Sequence, residues 1–221
     1  MTATIDRARA VLGAAGAAAL GGLGALAAYG LAVRPWHLAW RATAEEAEQP
    51  LPGDELLAAP TMVSTRAATI AAPPDEVWRW LVQMGRGRGG LYSYDRLENL
   101  VGLDIHSVDE IVPELQHLEV GDRMDLSAER FGLIARRIEP PEALVWEFAD
   151  GGWIWAFHLR RTVDGGTRLL VRNRWTSSWA GPGWKVALWA VEPVAFVMEQ
   201  RMLRGIVERA ERAHREDGRW T

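Results

Sequence analysis

A histidine set between two acids, Asp104-x-His106-x-x-Asp109, is the strongest polar constellation in the sequence. Such a group can relay protons or bind a metal ion. Its spacing fits no helical metal motif, and a second carboxylate pair is missing. The reading in which these side chains cap turns before Ile111 therefore carries more weight. Tyr92 and Tyr94 could hydrogen-bond a ligand carbonyl, or pack with their hydroxyls in water. Gly85-x-Gly87-x-x-Gly90 matches a dinucleotide fingerprint by letter, but it follows a helical pattern where the fingerprint needs a strand. It reads instead as a loop between helices, with arginines that are solvated or meet an anionic group. Nucleophilic catalysis finds no support: cysteine is absent, no G-x-S-x-G elbow occurs, and the lone lysine, Lys185, follows Trp184. Asp95 and Glu98 share a helix face and read as exposed charges. No catalytic residue, metal or cofactor is assigned.

The apolar residues point further. Twelve tryptophans in 221 residues supply broad, rigid surface. Trp153, Trp155 and Phe157 alternate along one strand, and Asn173 and Trp175 share a face of the next. Met198 and Met202 lie one turn apart on a helix, and methionine adapts to irregular shapes. These residues can converge as a pocket with Asn173 as its polar group. The competing reading is a solid core with one satisfied amide. Trp179, Trp184 and Trp189 surround Gly181-Pro182-Gly183 and suit a pocket gate, a membrane interface or plain packing.

The elements that hold these residues follow from periodicity and turn chemistry. Met62 to Ile70 reads as a first strand. Pro73-Pro74-Asp75-Glu76 opens a helix with Val77, Trp80, Leu81 and Met84 on one face. A second helix puts Leu97, Leu100 and Val101 on one face and ends at Gly102. Strands are expected at 123–126, 131–138, 143–149, 153–161 and 167–176, separated by Pro-Pro and Asp-Gly-Gly turns. The face bearing Arg168, Arg172 and Arg174 should be solvated. A long final helix carries an apolar stripe at Val194, Val197, Met198, Met202, Ile206, Ala210 and Ala213, with Glu199 off it.

A formal net charge of -4 and a pI near 5.8 exclude a typical nucleic-acid binder. Residues 10–33 carry no charge and would span roughly 36 Å as a helix, at about 1.5 Å per residue. This predicts a single-pass N-terminal membrane anchor in a bacterial plasma membrane, its orientation open. A cleaved signal peptide or a soluble alanine-rich helix are the alternatives. Trp36 and Trp40 then suit an interfacial belt, and the proline- and acid-rich stretch to Pro60 reads as an extended tether.

The segments TIAAPPDEVWRWLVQMG, GRGRGGLYSYDRLENLVGLDIHSVDEIVPELQHLEVGD and EPVAFVMEQRMLRGIVERAE resemble the START-like SRPBCC (helix-grip, polyketide cyclase-like) superfamily, in an uncharacterised, mostly actinobacterial subgroup. The resemblance runs from about Thr61 to Arg212, with PWHLAW and PLPGDE before it. It implies an α+β helix-grip fold: a curved antiparallel sheet wrapped around a long C-terminal helix, here preceded by an N-terminal hydrophobic helix. It also implies a hydrophobic small molecule or lipid between sheet and helix. The expected organisation is an anchor over 1–34, a linker over 35–60, a START-like domain over 61–215 and a tail over 216–221. The expected ligand-binding residues are Tyr92, Tyr94, His106, Trp153, Trp155, Phe157, Asn173, Trp175, Met198 and Met202. The leading functional expectation is a membrane-anchored carrier without covalent catalysis. The alternatives are a polyketide cyclase or aromatase-like enzyme, in which Tyr92, Tyr94 or His106 guides proton transfer, and an envelope protein-interaction module with a filled core.

Overall fold

The computed structural model describes residues 21, 22, 24, 27–100, 102–127, 132–176 and 182–218; the side chains of 182–190 and 217 lie outside that description. The chain divides into two units, Met1–Leu38 and Ala39–Thr221. In the first, a π-helical turn Tyr29–Val33 runs into the helix Arg34–Leu38, and Tyr29 Oη stands 3.0 Å from His37 Nε2. The expected membrane anchor is corrected. Among the described residues no helix is long and apolar enough to cross a membrane. Residues 10–20, 23, 25 and 26 of the expected span lie outside the described residues. The physical reason is composition: ten alanines and six glycines among residues 10–33 remove little apolar area from water.

The second unit holds α1 (Ala44–Glu48), β1 (Met62–Ile70), α2 (Pro74–Val82), α3 (Asp95–Leu100), β2 (Arg123–Asp125), β3 (Gly132–Glu139), β4 (Ala143–Phe148), β5 (Trp153–Arg161), β6 (Thr167–Trp175) and α4 (Pro182–Asp217). The described strands form one curved antiparallel sheet in the order β1-β6-β5-β4-β3-β2. With the long α4 against its inner face, this is the helix-grip architecture. Opposed residues in antiparallel strands share a face, so the register fixes which side chains meet. Met62 lies opposite Trp175, Ser64 opposite Asn173 and Arg66 opposite Val171. Trp153 pairs with Trp175, Trp155 with Asn173, and Phe157 with Val171. These positions all face α4. The core adds Val77, Trp80 and Leu81 from α2 and Met202, Leu203, Ile206 and Ala210 from α4.

Four expectations change. Residues 39–60 are not an extended tether. Thr43 caps α1 in a reciprocal capping box with Glu46, and the segment lies on the outer face of the sheet. The arginine face is therefore covered rather than solvated. Arg172 is only 2% exposed and donates to the carbonyls of Glu46, Ala47 and Gln49, to Asp54 and to Thr65 Oγ1. Arg168 grips Glu46, and Arg174 donates to the Leu57 carbonyl. Trp40, expected at an interface, is buried with its ring edge-on to Phe196. The final helix is also rotated from its expected stripe. Val194 and Val197 point outward, Phe196 is buried, and Glu199 faces the sheet.

Candidate functional site

A cavity of about 200 Å³ lies between the inner face of the sheet and α4. Its wall follows from the register. Trp153 and Trp175, paired across β5 and β6, stack with centroids 4.4 Å apart and planes 14° from parallel. Trp155, two residues along β5, stacks on Trp153 at 5.6 Å. Stacked indoles resist collapse, because each ring is held by its neighbours. Met198 and Met202 complete the lining from α4.

Asn173 organises the polar end. Trp153 Nε1–H donates to Asn173 Oδ1 at 2.9 Å, which fixes the amide orientation. Asn173 Nδ2 donates to Glu199 Oε2 at 2.8 Å, and Arg66 Nη1 donates to the same oxygen at 2.7 Å. The Glu199 side chain is 10% exposed. Burial raises its proton affinity, opposed by the Arg66 guanidinium and the Asn173 amide. Its second oxygen, Oε1, has no hydrogen-bond partner. Glu98 reaches the cavity from α3 and is 3% exposed, with Oε2 equally unpartnered. Burial, and then the nearby Asp95 charge, push its carboxyl up to about 7. Glu192 adds a third buried acid. The indole N–H of Trp155 is a donor without a partner.

The structure brings together Trp153, Trp155, Asn173, Trp175, Met198 and Met202 of the expected residues. Phe157 is buried one step deeper, its ring 4.9 Å from that of Trp155. The remaining three stand elsewhere. The Tyr92 hydroxyl is buried, donating to the Trp80 carbonyl and accepting from Gln83 Nε2. Tyr94 is exposed in a separate groove with Arg96 and Leu97. The His106 side chain is 77% exposed, with Nε2 at 3.1 Å from Asp104 Oδ1. Asp104 also pairs with Arg86, while Asp109 pairs with Arg209 and Arg212 on α4, so these acids do not converge. The glycine loop is closed by the Gly85–Gly90 bridge, and Arg88 is held by the carbonyls of Val82 and Leu115. Trp179 lies outside the described residues, as do the side chains of Trp184 and Trp189.

Sequence reasoning missed Arg66, Glu98 and Glu199. Two signals were available. Arg66 alternates in phase with Ser64 and Ala68, and Glu199 precedes Met202 by one helical turn. Glu98 offered none, because α3 turns Leu97 and Leu100 outward and its acid inward.

No family model matches the chain, and no curated protein does. Solved structures similar to parts of it include a Mesorhizobium loti protein, 17% identical over 66% of this chain and 96% of that one, TM-score 0.38. A Chromobacterium violaceum protein is 16% identical over 68% and 98%, TM-score 0.42. A Polyketide_cyc-like protein from Corynebacterium glutamicum is 18% identical over 69% and 89%, TM-score 0.34.

Proposed function

We propose that the unit Ala39–Thr221 is a binding or carrier module that holds a small apolar molecule in the tryptophan cavity and releases it unchanged. The observation that carries this reading is open volume beside three stacked indoles, where a sheet and helix would otherwise interdigitate. Size narrows the ligand. A cavity of roughly 150 Å³ accepts benzene, and drug-sized ligands occupy roughly 300–1,000 Å³. About 200 Å³ suits a one- or two-ring molecule better than a sterol or a long acyl chain. A core with such a space also lacks the premise of the filled interaction module.

Calorimetric titration of the full chain with indane, a neutral bicyclic probe, tests the reading. Saturable binding is expected, and Trp175→Ala should weaken it about tenfold, since ring stacking contributes about 0.5–1.5 kcal/mol beyond area. Absence of binding, or binding indifferent to Trp175→Ala, would overturn it.

A polyketide cyclase-like enzyme is the second reading. Glu98, titrating near neutrality at the cavity wall, supports it. The positions of Tyr92, Tyr94 and His106 do not. Recovery of chemically altered ligand after incubation would favour the enzyme.

A further inference from the structure

We infer that Arg66, Asn173 and Glu199 form a spacer that holds α4 off the sheet and so sets the largest molecule the cavity takes; this rests on the binding reading above. α4 meets the rest of the unit in two ways. Towards its C-terminal end it packs closely. Leu203, Ile206 and Ala210 are buried in the core, and Gly205 passes so near Tyr92 that an added methyl would fall on its carbonyl. Between Ala195 and Met202 the same helix flanks open volume instead. Glu199 stands in the middle of that stretch. Its Oε2 accepts from Arg66 Nη1 on β1 and from Asn173 Nδ2 on β6, so one oxygen of the helix ties two paired strands. Asn173 is itself fixed by the Trp153 indole N–H from β5. The Arg66 guanidinium also lies over the Phe196 ring of α4, 5.2 Å from its centroid.

Stability alone does not account for an ion pair at this place. Apolar walls tend to close on empty space, because lining atoms without neighbours forgo dispersion contacts. A buried ion pair adds little net stability, and apolar residues of similar volume often replace it without loss. What it does supply is a fixed reach. Bonds of 2.7 and 2.8 Å to one oxygen hold the helix at a set distance from two strands. A wider gap would break them, and a narrower one would drive the long arginine and glutamate side chains into each other. Glu199 is thus a positioning residue, setting the width of a space whose surface is chiefly apolar.

Two apolar probes of different size, indane and benzene, test the inference by calorimetric titration of the full chain, with thermal unfolding checking that each variant folds. Wild type should prefer indane by about tenfold or more, from the larger apolar area buried. Glu199→Gln keeps an acceptor at the same reach and should leave that preference within about twofold. Glu199→Asp shortens the spacer by a methylene and should cut the preference about threefold or more, because the narrowed space overpacks the larger probe. Arg66→Met combined with Glu199→Leu removes the spacer, and should abolish the preference while benzene still binds. A role in stability alone would weaken both probes alike and leave their ratio unchanged. An unchanged ratio in the aspartate or the paired variant, or a ratio lost in Glu199→Gln, would overturn the spacer and leave the cavity reading in place. If the paired variant does not fold, the aspartate variant decides. Failure of wild type to bind either probe would overturn the cavity reading itself.

Discussion

Glu98 is a carboxyl placed where ionisation is penalised, and that has a consequence independent of any ligand. In the folded chain its affinity for a proton is raised to about 7, whereas an unperturbed glutamate titrates near 4.5. The folded state therefore holds a proton that the unfolded state has released. The stability this proton confers is full below about 4.5 and is lost as pH rises through about 7. Glu98→Gln removes the titration. Denaturant unfolding between pH 4.5 and 8.5 should show wild-type stability falling relative to the variant, by on the order of 2–3 kcal/mol in total. A difference that stays constant across that range would mean that Glu98 is solvated in the native state.

The elements were legible in sequence to the degree that their pattern was unfrustrated. Strands β5 and β6 alternate so cleanly that the tryptophan wall could be read directly, and α2 turned its expected face inward. The stripe on α4 misled because Val194 and Val197 are apolar yet exposed, while Glu199 is acidic yet faces Arg66. Side-chain hydrophobicity is a poor guide where an ion pair is buried between helix and sheet. Tyr92 shows another limit. A tyrosine at positive φ, with both hydroxyl bonds made internally, is a structural post that composition cannot distinguish from a ligand contact. Where α4 crosses this post it carries Gly205, and a methyl there would fall on the Tyr92 carbonyl and approach its Cβ at 2.9 Å. Two effects oppose in Gly205→Ala. Helix propensity favours alanine by about 1 kcal/mol. Overpacking against a braced backbone costs about 1–3 kcal/mol, and neither the carbonyl nor the anchored ring can move aside, so strain wins. The variant should be about 1–2 kcal/mol less stable in guanidinium unfolding and should bind indane more weakly, because α4 must lift from the sheet that it helps close. Unchanged stability with unchanged binding would show that the crossing can relax.

The whole second unit depends on a strap that local reading assigned to a linker. Proline and acid between Glu45 and Pro60 resemble a solvated tether, because what orders them is distant: Arg168, Arg172 and Arg174 on β6. Arg172 alone holds three backbone carbonyls and Asp54, at 2.7–3.0 Å. Its neighbours Leu51 and Leu57 pack on apolar residues of the outer face. The compact unit begins at Ala39, and the expected folding boundary lies there rather than at Thr61. Three chains distinguish the alternatives by denaturant unfolding: residues 39–221, residues 61–221, and full-length Arg172→Ala. The chain from Ala39 should unfold in one transition at the stability of this unit in the full chain. Arg172→Ala should lose about 3–5 kcal/mol, because its buried acceptors are left without a donor. The chain from Thr61 loses those acceptors together with Trp40 and Leu51. It leaves the Arg172 guanidinium without its backbone partners, and should exceed the single substitution and approach the whole stability of a domain, about 5–15 kcal/mol. Equal midpoints for the chains from Ala39 and Thr61 would return the strap to the role of a tether. They would also leave the burial of Arg172 without a cause, since on the bare sheet nothing else supplies its carbonyl acceptors.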